Sequence, residues 1–276
     1  MDDRAYCAAQ VRTLDSDRYV TALFAPAPHR ADLMALYAFN LELARSREAV
    51  SEPLLGRIRL QWWRDAIAEC YEGDPRRHQV VQPLAAAIER HGLSRHLFDR
   101  MIDAREIDFD PTPLDRLDDL VAYADATAGS LNLLALEILG ARNFEMEKVA
   151  TAVGTVWALI GTIRGLKHFL LTGRHPLPRE FMQKHGLTSA ALQSLKYSDE
   201  LSKAVEEIGH TALNYLNDSW VKPSDKALPA MLPVVLARAY LKRLAGTGYN
   251  PYDERNLQPL SYRTWRLIIP ALTGRF

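Results

Sequence analysis

Apolar residues recur every three or four positions along most of the chain, and each run is closed within a few residues by glycine or proline. Over 143–173 they fall at Val149, Val153, Val156, Ile160, Ile163, Leu166 and Leu170, after which come Gly173, Pro176 and Pro178. That spacing lines one stripe of an α-helix, and glycine followed by proline stops it. Over 114–139 the pattern repeats at Leu117, Leu120, Val121, Ala128, Leu131, Leu134 and Ile138, before Gly140. Pro113 and the acids Asp115, Asp118 and Asp119 suit its first turn, where unpaired N–H groups favour negative charge. The same reading predicts helices over 28–48, 54–72, 80–92, 94–108, 197–221, 226–245 and 260–271. No period-2 run bounded by hairpin turns is present.

The joints are short: Pro26-Ala27-Pro28, Pro53, Gly73-Asp74-Pro75, Pro111-Thr112-Pro113 and Gly248-Tyr249-Asn250-Pro251. No linker, repeat or low-complexity tract divides the 276 residues. The expectation is one all-α domain over 1–276, with 114–139 and 143–173 as its buried central pair. A hydrophobic content of 48% supplies the core. Lys+Arg and Asp+Glu are both 34, which argues against nucleic-acid binding through bulk charge. Cys7 and Cys70 form neither a disulfide framework nor a metal set and suit a reducing compartment. The opening Met-Asp-Asp-Arg has no apolar run behind it, so no signal peptide is expected. No run approaches the roughly 20 uncharged apolar residues that span a bilayer. The chain is expected to be cytoplasmic, with peripheral contact with the inner face of the membrane left open.

Two charged clusters attract attention. Asp103, Glu106, Asp108, Asp110, Asp115, Asp118 and Asp119 have the composition of a Mg²⁺-diphosphate site. The blander and favoured reading is a solvated helix start. Arg164, Lys167, His168, Arg174, His175, Arg179, Lys184 and His185 form a basic stretch. Arg164, Lys167 and His168, at i, i+3 and i+4, could meet a phosphate or a carboxylate, or simply complement a helix C-terminus. Of Trp62 and Trp63, one is expected in the core and one half-buried, with Arg64 paired or solvated. Tyr37, Phe39, Trp157 and Phe169 could line an interhelical pocket or be plain core. There is no nucleophile elbow, phosphate-binding glycine loop or dinucleotide fingerprint.

Five segments in order carry a resemblance. They are Ala22–Phe39, Arg59-Leu60-Gln61-Trp62-Trp63-Arg64, Tyr123-Ala124-Asp125-Ala126-Thr127-Ala128-Gly129, Leu177-Pro178-Arg179-Glu180 with His185-Gly186-Leu187, and Ala237–Leu241 through Gly248–Tyr252. Together they resemble the squalene and phytoene synthases. The resemblance implies the isoprenoid synthase fold, a helical bundle around a central cavity. Active members join two prenyl diphosphates head to head, with two aspartate-rich motifs holding Mg²⁺. Counted along the family pattern, the first motif becomes Ala44, Arg45 and Glu48, and the second becomes Arg164, Gly165, Lys167, His168 and Phe169. The aspartates are gone from both. The tyrosine that eukaryotic squalene synthases carry falls on Ala126, and the phosphate segment near the N-terminus reads Ser16-Asp17-Arg18-Tyr19. Cations at the old metal positions would repel Mg²⁺ by several kcal/mol, to order of magnitude.

Ala38–Ala44, Val50-Ser51-Glu52 and Leu136–Gly140 are most similar to a non-catalytic branch of that family. It contains assembly factor 6 of mitochondrial NADH:ubiquinone oxidoreductase, respiratory complex I. The resemblance therefore implies a degenerate synthase with no catalytic residue, no resident cofactor or metal, and complex I subunits or assembly intermediates as partners. Arg45, Tyr123, Arg164 and Lys167 are the candidate ligand-binding residues, and Arg45 and Glu48 should approach the Arg164–His168 turn across the cavity. Two alternatives stand beside it. One is an active prenyl transferase using Mg²⁺ through Glu42, Glu48 and the 103–119 acids. The other is a carrier that holds an isoprenoid or quinone-like lipid by its head group.

Overall fold

Side-chain caps and prolines set where the helices begin. The computed structural model describes residues 2–48, 52–110, 112 and 114–273. Helix α1 (Asp3–Leu14) starts on Asp2, whose Oδ1 accepts from the Ala5 amide at 2.7 Å. Asp15 caps α2 (Ser16–Ala22) in the same way. Neither helix was predicted, because this stretch alternates polar and small residues and buries little more of α1 than Cys7 and Val11. Helix α3 (Ala27–Ala44) has proline in its first turn and is buried continuously from Asp32 to Asn40. A helix apolar on every side belongs at the centre.

Around it lie α4 (Pro53–Glu72), α5 (Val81–His91) and α6 (Arg95–Ala104), the first two stopped by Gly73 and Gly92 in left-handed conformation. The run predicted as one helix over 94–108 tightens into a 3-10 turn at Arg105–Phe109. The run predicted as one helix over 114–139 is three pieces. Helix α7 (Leu117–Ala124) leads into a π-helical turn, Asp125–Gly129, and then α8 (Ser130–Ile138). Pro111 and Pro113, and Val50 and Ser51 of the quoted Val-Ser-Glu segment, lie outside the described residues.

Helix α9 (Phe144–Leu171), capped by Asn143, is the axis of the bundle. It packs on the π-helical turn, on α8, and on the later helices α12 and α14. By length and composition alone it could cross a membrane, contrary to the sequence expectation, yet 61% of its most apolar stretch is buried inside the bundle. The chain then runs through α10 (Arg179–Lys184), α11 (Ser189–Gln193), α12 (Asp199–Asn217), α13 (Leu228–Met231), α14 (Pro233–Ala245), α15 (Glu254–Leu257) and α16 (Arg263–Thr273). No strand occurs among the described residues.

Candidate functional site

A cavity of about 310 Å³ opens between α3 and α9. From α3 it takes Asn40, Leu41 and Ala44, and from the turn that follows, Arg45 and Glu48. From α9 it takes Trp157, Ala158, Gly161, Thr162 and Phe169, with Thr127 and Ala128 of the π-helical turn beside them. The π turn lies close to α9 because position 154 is glycine: a Cβ there would come within 2.2 Å of the Ala128 carbonyl oxygen.

The polar wall is built around Asp108, which is buried. Its carboxylate accepts from Tyr123 Oη at 2.9 Å, from Arg105 at 3.3 Å, and from Arg174. Arg105 also donates to Tyr123 Oη at 2.6 Å. Burial pushes the Tyr123 hydroxyl up to about 12, so it stays a protonated donor. Burial works against the Arg105 charge, but Tyr123 and Asp108 outweigh it. The Arg174 guanidinium sits 4.4 Å from the Phe169 ring centre. On the opposite side Arg18 is bonded to Asp15 at 2.9 Å, with its guanidinium 5.8 Å from the rings of Tyr37 and Trp157.

The two degenerate motif segments meet. His168 Nε2 lies 2.8 Å from Glu48 Oε1, and Arg45 Nε 3.6 Å from the other Glu48 oxygen. Ala44, Arg45, Glu48, Tyr123 and Phe169 all line the cavity. At Gly165 the direction a side chain would take is filled by the Phe169 ring, 2.8 Å from the position of a Cβ. Two of the four candidate ligand-binding residues do not face the cavity. Arg164 stacks 3.5 Å from the centre of the Tyr240 ring and lies 3.7 Å from Asp17. Lys167 is two positions from Gly165, more than half a helical turn away, and is absent from the cavity wall. The wall's cations are instead Arg18, Arg45, Arg105 and Arg174.

The charge clusters of the sequence come apart in the same way. Asp115 precedes α7 and pairs with Arg179, so it shares no helix face with Asp118 and Asp119. Asp119 accepts from the Arg116 amide, while Asp103 and Glu106 pair with Arg64. Only Asp108 and Asp110 of that set reach the cavity. Lys184 and His185 pair with Glu207. Trp157 and Phe169 line the cavity, but Tyr37 and Phe39 are plain core, 2% and 0% exposed. Trp63 is buried and Trp62 half-buried under Arg76. Sequence reasoning missed the Arg105–Asp108–Arg174 network. The i, i+3 spacing of Arg105 and Asp108 was its only local signal.

A Mg²⁺ site would need several uncommitted oxygens around one point. Glu48 is held by His168 and Arg45, Asp108 by two arginines and a tyrosine, and Asp15 by Arg18. Asp110 accepts from the Thr112 amide at 2.8 Å. Among the described residues no group of three or more His, Cys, Asp or Glu could hold a metal ion. The residues present do not fit the metal that the fold would otherwise imply.

A family model for squalene/phytoene synthase matches residues 11–266. The chain belongs to the squalene/phytoene synthase family. Its architecture is accordingly the all-α isoprenoid synthase bundle. The chain superimposes on a crystal structure of a dehydrosqualene synthase in complex with ligand with a TM-score of 0.85, at 20% identity, covering 98% of this chain and 95% of that one. By sequence it is 27% identical to the rat protein named NADH dehydrogenase (ubiquinone) complex I, assembly factor 6, over 96% of this chain and 83% of that protein. A presqualene diphosphate synthase of Rhodopseudomonas palustris is 28% identical over 66% of this chain and 65% of its own length. In this fold the Glu48–His168 contact joins the turn after α3 to the end of α9, beside the cavity that Glu48 lines.

Proposed function

We propose that the chain is a non-catalytic member of the squalene/phytoene synthase family that assists the assembly of respiratory complex I. The observation that carries this reading is the closure of the old metal positions, where Glu48 is spent on His168 and Arg45 and Phe169 fills the space at Gly165. Ionising a prenyl diphosphate requires stabilising about three negative charges on the leaving group, which metal ions bridge in related chemistry. The carboxylates that would hold those ions are absent or committed. The likeness to the rat assembly factor along nearly the whole chain supports the same reading. The partners are then complex I subunits or assembly intermediates, met at the inner face of the membrane.

Two measurements test it. Deleting the gene lowers assembled complex I on a native gel and leaves squalene and carotenoid content unchanged. A normal complex I level sinks the assembly role. Purified protein given farnesyl or geranylgeranyl diphosphate with Mg²⁺ releases no pyrophosphate. Turnover that disappears in Glu48→Gln promotes the transferase reading instead.

The cavity itself favours a second reading, a carrier of an isoprenoid or quinone-like lipid. Arg18, Arg45, Arg105 and Arg174 give its wall donors for an anionic or carbonyl head group. Binding of a prenyl diphosphate would then be nearly independent of Mg²⁺. Solvent extraction of the protein from its native cell, read by mass spectrometry, would recover the lipid.

A further inference from the structure

Helix α16 has two apolar faces. Leu267 and Pro270 are buried where it packs on α14 and α2. The other face stands in solvent: Trp265 is 68% exposed, Ile269 66% and Leu272 82%. Steps of four and three put these three on one narrow stripe. Tyr262, 79% exposed in the turn before the helix, extends the stripe. Its φ of +55° is a left-handed conformation strained for a residue with a side chain. Large apolar side chains gathered in one exposed row on a soluble protein mark an interaction surface.

The charges beside the row are cationic. Arg266 is exposed next to Trp265. Arg263 and Arg243 lie behind it, and the acid that faces them, Asp17, is buried and already bonded to Arg263 and Tyr240 Oη. Such a border suits lipid phosphates. Tyrosine and tryptophan prefer the interfacial layer of a bilayer, where the ring is in hydrocarbon and its polar atom reaches the head groups. An aliphatic and aromatic stripe edged by arginine matches a helix lying in that layer.

We propose that α16 seats the protein on an anionic lipid bilayer, with Trp265, Ile269 and Leu272 entering the boundary of the acyl chains and Arg266 meeting lipid phosphates. This stands apart from the assembly role, because its test reads membrane binding alone. The full chain is sedimented with phosphatidylcholine vesicles, with and without phosphatidylglycerol. The anionic vesicles are expected to carry the protein down, less so as salt is raised. The triple variant W265S/I269S/L272S should bind at least about tenfold more weakly, since the apolar area it loses drives insertion. Arg266→Glu should weaken binding to the anionic vesicles only. All four side chains point to solvent, so circular dichroism and the melting midpoint should match wild type. A brominated phosphatidylcholine should quench part of the tryptophan fluorescence of the wild type, and Trp265→Phe should remove that part while the protein still binds. Wild-type protein left in the supernatant with anionic vesicles overturns the proposal. So does a folded triple variant that binds as tightly as wild type. Failure to bind vesicles, with Trp265 shielded from a water-soluble quencher in a self-associated form, would assign the face to a protein contact and overturn it too.

Discussion

At the residue scale, buried charges in this protein are held in place by arginine and histidine. Asp32 on α3 is 2% exposed and accepts two bonds from Arg90 Nη1, at 2.6 and 2.7 Å, with His91 Nε2 at 2.8 Å. Burial works to raise its pKa, but the bonds from Arg90 and His91 outweigh burial and hold it below the ordinary carboxylate value. A carboxyl depressed in the folded state binds its proton more readily when unfolded. Its stabilisation is therefore complete above the unfolded value, near 3.8, and is lost as pH falls through the lower folded value. Asp32→Asn should cost about 2–3 kcal/mol at neutral pH, less than for a fully buried pair because Arg90 can turn to water. Urea titrations at pH 7 and at pH 3 should show the gap between variant and wild type narrowing in acid. A gap of equal size at both would assign the loss to packing.

At the scale of the element, the π-helical turn shapes one wall of the cavity. Thr127 Oγ1 bonds the Tyr123 carbonyl at 2.8 Å within it, and Asn132 just after it donates to the carbonyls of Ala150 and Ala230, each at 3.0 Å. Ala128 and Gly129 of the turn lie against Gly154 of α9. Gly154→Ala would force its new methyl into backbone, which cannot move like the end of a side chain. The expected loss is about 2–4 kcal/mol in a denaturant titration. A smaller cost would mean that the turn can relax into ordinary α-helix. Hydrophobic spacing carries no mark of such a turn here, since no large aliphatic residue lies between Val121 and Leu131 to record the phase shift of one extra residue. That is why 114–139 reads as unbroken.

Across the whole molecule, the two ends of the sequence close on each other. Asp17 of α2 accepts from Tyr240 Oη of α14 at 2.6 Å and from Arg263 of α16 at 3.0 Å, with Arg164 of α9 at 3.7 Å. One carboxylate therefore serves four helices. Asp17→Asn leaves Arg164 and Arg263, each 24% exposed at the side chain, without their counter-charge. A cost of about 2–4 kcal/mol is expected. It should appear as faster amide exchange in α14 and α16, ahead of α3 and α9. Uniform acceleration would show that the link is not local to the C-terminal helices. No pairing rule connects residues 17, 164, 240 and 263 in the sequence.

Most of the helices between residues 28 and 271, the short joints, and the buried character of α8 and α9 were legible in the sequence, because a stripe every three or four residues and a proline or glycine are local properties of the backbone; α1, α2 and the continuous burial of α3 were not. The loss of the aspartates was legible too, once the five motif segments aligned the chain with its family. Which charges face the cavity was decided only by the tertiary structure. Arg164 and Lys167 belong to the same basic run as Arg174, and Asp108 to the same acidic run as Asp115. Helix rotation and the turns after α6 and α9 send Arg174 and Asp108 to the wall and the others away from it. A charge finds its partner through space, at distances of a few ångströms, and sequence proximity does not encode that distance.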